Sequence, residues 1–263
     1  MTKHTIGIIG AGNMGSAIIA GIHDKYSVCV CEQDKRRSSL LKKRFKLEIT
    51  DLNQLLDKAS IIVLAVKPQG IDELLKQMKQ YDVNNKLIVS IAAGITTKYI
   101  EKALGGKVRV IRTMPNLPAQ VSLGITGICK GKTVSPKDLK TVSEIFDSIG
   151  ETVIIEEKLM DGLTAVSGSG PAYLFYFVEC FEKAARSVGL NQKMSQSLVL
   201  NTIKGSISLL EVSGKKAGEL RQQVTSKGGT TEAALKELMS KGIEEIFKDA
   251  VKAASKRSKE LSR

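Results

Sequence analysis

The stretch "TIGIIGAGNMGSAIIAGI", residues 5–22, constrains this chain more than any other. A short apolar run over residues 6–9 meets Gly10, Gly12 and Gly15 in G-x-G-x-x-G spacing, and residues 16–22 continue as an apolar helix. Each glycine has its own task in such a turn. Gly10 makes the tight turn, Gly12 lets the backbone approach a pyrophosphate, and Gly15 lets the helix pack on the strand. The amides at the helix N-terminus then face the phosphate charge. Alone the spacing is weak evidence. Between a strand and a helix it stands in the context that the dinucleotide fingerprint requires. Ile9, Ala11, Asn13 and Met14 complete the turn, so residues 9–15 are all candidate cofactor contacts.

The pattern then repeats. "SVCVC" reads as a second strand ending at Glu32, about where an acidic residue would bind the adenosine ribose. That favours NAD(H). Lys35, Arg36 and Arg37 follow at once and would suit a 2′-phosphate, which favours NADP(H). The residues leave that choice open. Further apolar runs stop at Ala65, Val66, Lys67 and Pro68, at Ala92, Ala93 and Gly94, and at 114–118, which includes Asn116. "SLGITGICKG" is another candidate strand. Continuous β-branched runs alternating with helical stretches, such as 72–81 and 97–104, read as a parallel sheet covered on both faces. Ligands in such sheets lie outside the carboxyl ends of the strands. All these stops therefore face one crevice with Gly10, Gly12 and Gly15.

After "GETVIIEE" the pattern changes to a period near 3.6, and the remaining residues read as mostly helix. The expected organisation is an α/β Rossmann-type dinucleotide-binding domain over residues 1–156 and an all-α domain over 157–263. The helix through "SGSGPAY" should kink, because Pro171 cannot donate to the ladder and its ring crowds the preceding turn. The apolar run "YLFYFV" exceeds what one exposed helix should carry, which suggests burial between two copies.

A second glycine turn, "TSKGGTTE", stands at 225–232. Gly228 and Gly229 permit a tight turn, and Thr230 or Thr231 would cap a helix starting near Glu232. Amides of such a turn, backed by a helix N-terminus, form an anion site. No strand precedes it, so a substrate carboxylate suits it better than a second nucleotide.

Other classes fit poorly. The net charge of +13 is spread along the chain, with a surplus of 8 up to Glu156 and 5 beyond, and aromatic residues are 4%. Nucleic-acid binding would concentrate the charge; a diffuse basic surface favours small anions. No apolar run is long enough for a membrane span, and the N-terminus lacks a signal-peptide pattern, so a cytoplasmic protein is expected. Two histidines and a lone C-x-C pair, Cys29 and Cys31, give no metal-ligand spacing.

Taken together, "IGIIGAGNMG", "LAVKPQ", "SIAAGIT", "VIRTMPNLPA", "LTAVSGSGPAY", "VTSKGGTTEAAL" and "AASKRSKEL" resemble the pyrroline-5-carboxylate reductase family over nearly the whole chain. The blocks at 167–173 and 224–235 are the specific ones. The resemblance implies an NAD(P)H-dependent reductase that makes L-proline from 1-pyrroline-5-carboxylate. NADP(H) is the expected cofactor, with NAD(H) left open. It also implies a helical dimerisation domain, with a homodimer and a decamer of dimers as the expected assemblies. The substrate loop would be Ser226, Gly228, Gly229 and Thr230. Thr231 would be the catalytic hydroxyl beside the ring nitrogen, and Asn116 would come close to the nicotinamide end. This chain has Lys227 where many members have Pro. It has Leu52 where an Asn often contacts the ribose. Related hydroxy-acid dehydrogenases usually place a catalytic Lys soon after the corresponding helix segment; here the first, Lys183, stands more than two helical turns beyond "SGSGPAY".

Overall fold

The computed structural model describes residues 4–105 and 108–263. In chain order the elements are β1 (Thr5–Ile9), α1 (Asn13–Ile22), β2 (Ser27–Cys31), α2 (Lys35–Phe45), β3 (Glu48–Ile49), α3 (Leu52–Lys58), β4 (Ile61–Leu64), α4 (Ile71–Met78), β5 (Leu87–Ser90), α5 (Thr97–Leu104), β6 (Arg109–Met114), β7 (Gly124–Lys130), α6 (Pro136–Asp147), β8 (Gly150–Ile154), α7 (Met160–Leu163), α8 (Gly170–Ser187), α9 (Gln192–Ser213), α10 (Ala217–Gln223), α11 (Thr230–Ser240) and α12 (Ile243–Leu261). Contacts divide the chain into two units, residues 1–171 with 253–263, and residues 172–252.

The first unit holds one eight-stranded sheet in the order β3-β2-β1-β4-β5-β6-β7-β8. Strands β1 to β6 pair in parallel, as continuous apolar runs demand when helices cover both faces. Alternation sorts the core into two layers. Ile6, Ile8, Ile61, Val63, Val89 and Ile111 pack on one face with α1, α2 and α6. Ile9, Ile62, Leu64, Ile88 and Val110 pack on the other with α3, α4 and α5. Each fully buried Ile, Leu or Val contributes about 1.5–3 kcal/mol relative to exposure.

The expected all-parallel sheet ends at β6. Strand β7 runs antiparallel to it, and β8 is parallel to β7. The reason is the connection, residues 115–123, which holds only a 3₁₀ turn at Leu117–Val121. A parallel crossover needs a dozen or more residues, usually with a helix.

The interruption expected near Pro171 takes a specific form. Between α7 and α8 lies a π-helical turn, Thr164–Gly168, in which the Ser169 N–H donates to the Thr164 carbonyl at 2.9 Å. The wider turn lets the helix continue past a residue with no donor. Thr164 and Ser167 turn their hydroxyls back onto the Met160 and Leu163 carbonyls. Gly168 is small because Met114 packs on it: a Cβ there would lie 2.8 Å from Met114 Cε.

The second unit is all helix. In α8 no residue is buried, and in the 22-residue α9 only Ser195 and Val199 are. Leu174, Phe175, Tyr176, Leu200, Ile207 and Val212 are among its exposed large apolar side chains. A face of that kind marks an association surface.

Candidate active site

The carboxyl ends of the strands bring the predicted cofactor residues of the first unit together. Register aligns Ile9 with Cys31 and with Leu64, Leu64 with Ser90, and Ser90 with Arg112. The next residues are locked in the same way: Gly10 N–H donates to the Cys31 carbonyl at 2.8 Å, and Ala65 N–H donates to the Ile9 carbonyl at 2.8 Å. Residues 9–15, 65–68, 92–94 and Asn116 therefore leave the sheet on the same edge.

Within the first turn each glycine meets a different constraint. Gly10 has φ +90, and a Cβ there would lie 2.7 Å from the Ala65 carbonyl oxygen. At Gly15 a Cβ would lie 2.3 Å from the Gly10 carbonyl oxygen. At Gly12 a Cβ would meet nothing within 4 Å, so the turn presents bare backbone to open space. Helix α1 starts at Asn13 with no side-chain cap and no acidic residue in its first turn. Among the described hydrogen bonds, none uses the N–H of Gly12, Asn13 or Met14. Unpaired amides, an open approach and no nearby carboxylate in the helix turn are the donor set that a dinucleotide pyrophosphate requires.

Glu32 stands at the end of β2 but does not reach outward. Its Oε2 accepts from Ala11 N–H at 2.7 Å and from the Arg37 guanidinium at 3.1 Å, and its Oε1 accepts from Asp34 N–H at 2.8 Å. Burial pushes its pKa up, but the amides of Asp34 and Ala11 and the Arg37 charge outweigh burial and hold it below the ordinary carboxylate value. Glu32 thus braces the glycine turn against β2. Lys35 and Arg36 are exposed at the start of α2, and among the described residues neither side chain is paired. Asn116 is buried and spends its Oδ1 on the Ile125 N–H at 2.9 Å, which fixes the 115–123 connection.

Sequence reasoning missed the support behind the 92–94 loop. Glu157 accepts from Thr97 N–H and from the Thr97 hydroxyl, both at 2.8 Å, and faces the buried Arg112 guanidinium at 3.5 Å. No spacing rule links residues 60 positions apart, although Arg112, the second of two arginines in the apolar run "VRVIRTM", signalled that a buried partner was needed. Cys129, beside this pair, has its thiol pushed up to about 11, by burial first and the Glu157 charge second.

In the second unit the predicted substrate loop forms its tight turn, with Gly228 at φ +72. The expected cap is different. Helix α11 begins at Thr230, two residues earlier than expected, and its N-cap is Gly229 with no side-chain bond. Glu232, the third residue of the helix, reaches one residue past the cap: its Oε2 accepts the Gly228 N–H at 2.7 Å, while the Gly229 N–H donates to the Ser226 carbonyl at 3.0 Å. The Thr230 and Thr231 hydroxyls are thereby released from capping. Their own amides have no acceptor among the described hydrogen bonds. Ser226 stays close, its Oγ within 2.4 Å of where a Gly229 Cβ would be. A groove of about 310 Å³ lies alongside, lined by Arg221, Thr225, Glu232 and Lys236 among others.

Comparison with known proteins decides what such a pair of turns belongs to. Residues 157–261 match the model for pyrroline-5-carboxylate reductase dimerisation, and residues 5–94 match that for coenzyme F420-dependent NADP oxidoreductases. A pyrroline-5-carboxylate reductase of Methanosarcina acetivorans is 38% identical with all of both chains covered, and a Bacillus subtilis one is 34% identical over 97% of this chain and 94% of its own. The chain belongs to the pyrroline-5-carboxylate reductase family. The solved reductase of Coxiella burnetii superposes with a TM-score of 0.92 at 34% identity, covering both chains fully. The Plasmodium falciparum enzyme, solved with NADP bound, gives 0.88 at 33%, again covering both chains. The protein is accordingly an NAD(P)-dependent oxidoreductase that acts on pyrroline-5-carboxylate, and its dimerisation domain implies a homodimer. Among the described residues no helix is long and apolar enough to cross a membrane.

Proposed function

We propose that the two glycine turns divide the reaction. Residues 9–15, with 65–68, 92–94 and Asn116, hold NAD(P)H, and the loop of Ser226, Gly228, Gly229, Thr230 and Thr231 receives the carboxylate and ring nitrogen of 1-pyrroline-5-carboxylate. NAD(P)H, when bound, supplies the hydride. The chain's own residues bind and orient. Free amides at the start of α11 suit the substrate carboxylate, because they carry partial positive charge at a helix N-terminus. The Thr231 hydroxyl lies against the ring nitrogen: it donates to the neutral imine and polarises it, or its oxygen accepts the N–H of the protonated imine. A hydride added to the imine carbon and a proton on nitrogen give L-proline. No strong acid is required when the imine arrives protonated, and a hydroxyl relieved of capping is free for this work.

The observation that carries this reading is the matched pair of helix starts. Both α1 and α11 open at a glycine N-cap with no side-chain cap. NADPH is the preferred cofactor in this reading, because Glu32 is engaged with Ala11 and Arg37 while Lys35 and Arg36 stand unpaired. The exposed apolar faces of α8 and α9 form the homodimer, with a decamer of dimers as the larger assembly, and the enzyme works in the cytoplasm. The test is cofactor oxidation with 1-pyrroline-5-carboxylate, with NADPH and NADH side by side. Faster turnover with NADPH, lost on mutating the 226–231 loop while NADPH still binds, is the expected result. Equal or better turnover with NADH would overturn the cofactor preference.

A further inference from the structure

The last residues of the described chain return to the first unit and pack on a loop of the cofactor edge. Between β5 and α5, Gly94 has φ +75, and a Cβ there would lie 2.7 Å from the Leu261 carbonyl oxygen. Arg263 N–H donates to the Gly94 carbonyl at 2.7 Å. In return Thr96 donates to the Arg263 carbonyl twice, from its N–H at 3.1 Å and from its hydroxyl at 2.6 Å. Gly94 is thus a glycine for two reasons, its left-handed backbone and the chain that lies against it.

The side chain of Arg263 makes a second tie. Its guanidinium donates to Asp72 Oδ2 at 2.6 Å, and Asp72 Oδ1 accepts from the Tyr99 hydroxyl at 2.7 Å. Asp72 lies in the first turn of α4, directly after the 65–68 loop and its 3₁₀ turn, and Tyr99 lies in the first turn of α5. One residue therefore grips one loop by backbone and the other through the helix that follows it. The tail itself is anchored by Ser258 and Ser262, whose hydroxyls donate to Asp161 Oδ1 at 2.7 and 3.2 Å. The Tyr99 hydroxyl first, and the Arg263 charge after it, hold the Asp72 carboxyl below its usual range, so the tie stays ionised near neutral pH.

The Arg263–Asp72 pair is poorly placed for stability. The side chains of Arg263 and Asp72 are 50% and 44% exposed, and exposed pairs contribute at most about 1 kcal/mol. What they restrict is the conformational freedom of two loops on the same sheet edge. Restricting a loop before its ligand arrives lowers the ordering cost of binding.

We infer that residues 261–263 form a strap, with Arg263 as its positioning residue, that presets the 65–68 and 92–94 loops for the dinucleotide. The inference rests on the reading that those loops hold NAD(P)H. The test uses the full chain as Arg263→Ala, Arg263→Lys and Ala93→Val, with NADPH binding followed by its fluorescence and with steady-state kinetics. Arg263→Ala should raise Kd and KM for NADPH roughly fivefold, the limit for an exposed pair. KM for the imine acid, kcat at saturating NADPH and the thermal midpoint should hold, and Arg263→Lys should recover part of the loss. Ala93→Val weakening NADPH while Arg263→Ala does not would overturn the strap alone. Neither variant weakening NADPH would overturn both the strap and the assignment of the 92–94 loop. Equal rises in both KM values with a lower thermal midpoint would show general loosening and would also overturn it.

Discussion

The two glycine turns differ in what makes them turns. The first is walled in. Gly10 and Gly15 are each forbidden a side chain by a neighbouring carbonyl, and the amides of Gly10 and Ala11 are committed to Cys31 and Glu32. Only Gly12 and the start of α1 are left facing outward. The second turn is open. A Cβ at Gly228 would meet nothing within 4 Å, and apart from Gly229 against Ser226 its shape is set by one left-handed residue and one reaching carboxylate, Glu232. A walled turn suits a ligand of fixed shape, such as a pyrophosphate. An open turn held by its own helix suits a small substrate that must enter and leave at each cycle.

That contrast can be broken by substitution. The largest effect is expected at Gly15→Val, where the first branch atom would lie 2.3 Å from a backbone oxygen. Overpacking against backbone should cost about 3 kcal/mol or more, seen in thermal melts, and abolish NADPH binding. The matching Gly228→Ala should cost only about 1–2 kcal/mol, because its penalty is the left-handed backbone alone. Next comes Thr231→Ala, expected to lower kcat on the order of 10²-fold, the low end for a positioned proton donor, with little change in the melt.

Gly12→Ala sharpens the comparison from the other side. Its backbone, φ −64 and ψ −165, suits alanine and the space is empty, so stability should hold. The methyl would occupy the approach to the amides, and KM for NADPH should rise about tenfold, the kinetic equivalent of a modest overpacking penalty. The smallest effect is on acid stability. The folded pKa of Glu32 is lowered from 4.5, so its contribution is complete above that value and is lost as pH falls through the lower folded value. Glu32→Gln should remove that part of the acid dependence, read as the thermal midpoint followed as pH falls below 4.5.

What the sequence made legible follows the same division. The first turn could be read residue by residue because steric exclusion fixes which positions must be glycine, and spacing reports sterics. Likewise α5 was legible to its ends, since Thr96 caps it and Gly105 closes it. The second turn was legible as a turn but not in its cap. No side chain caps α11; the Glu232 carboxylate instead holds the turn by reaching the Gly228 amide, a contact that spacing does not report. Strand β7 was visible as a strand, but its direction depends on the length of a connection without helical pattern. The π-helical turn before Pro171 was visible only as a coming interruption. Contacts of long sequence separation were not legible at all: Glu157 with Thr97, and Arg263 with Asp72 and Gly94. They are polar links between distant segments, and periodicity carries no trace of them.

The division of labour between the turns is tested most directly by NADPH titration of Gly12→Ala and Thr231→Ala beside the unaltered chain. The account predicts that Gly12→Ala loses affinity and that Thr231→Ala binds NADPH as the unaltered chain does while turning over far more slowly. Equal weakening of NADPH by Thr231→Ala, or its unchanged turnover, would contradict it.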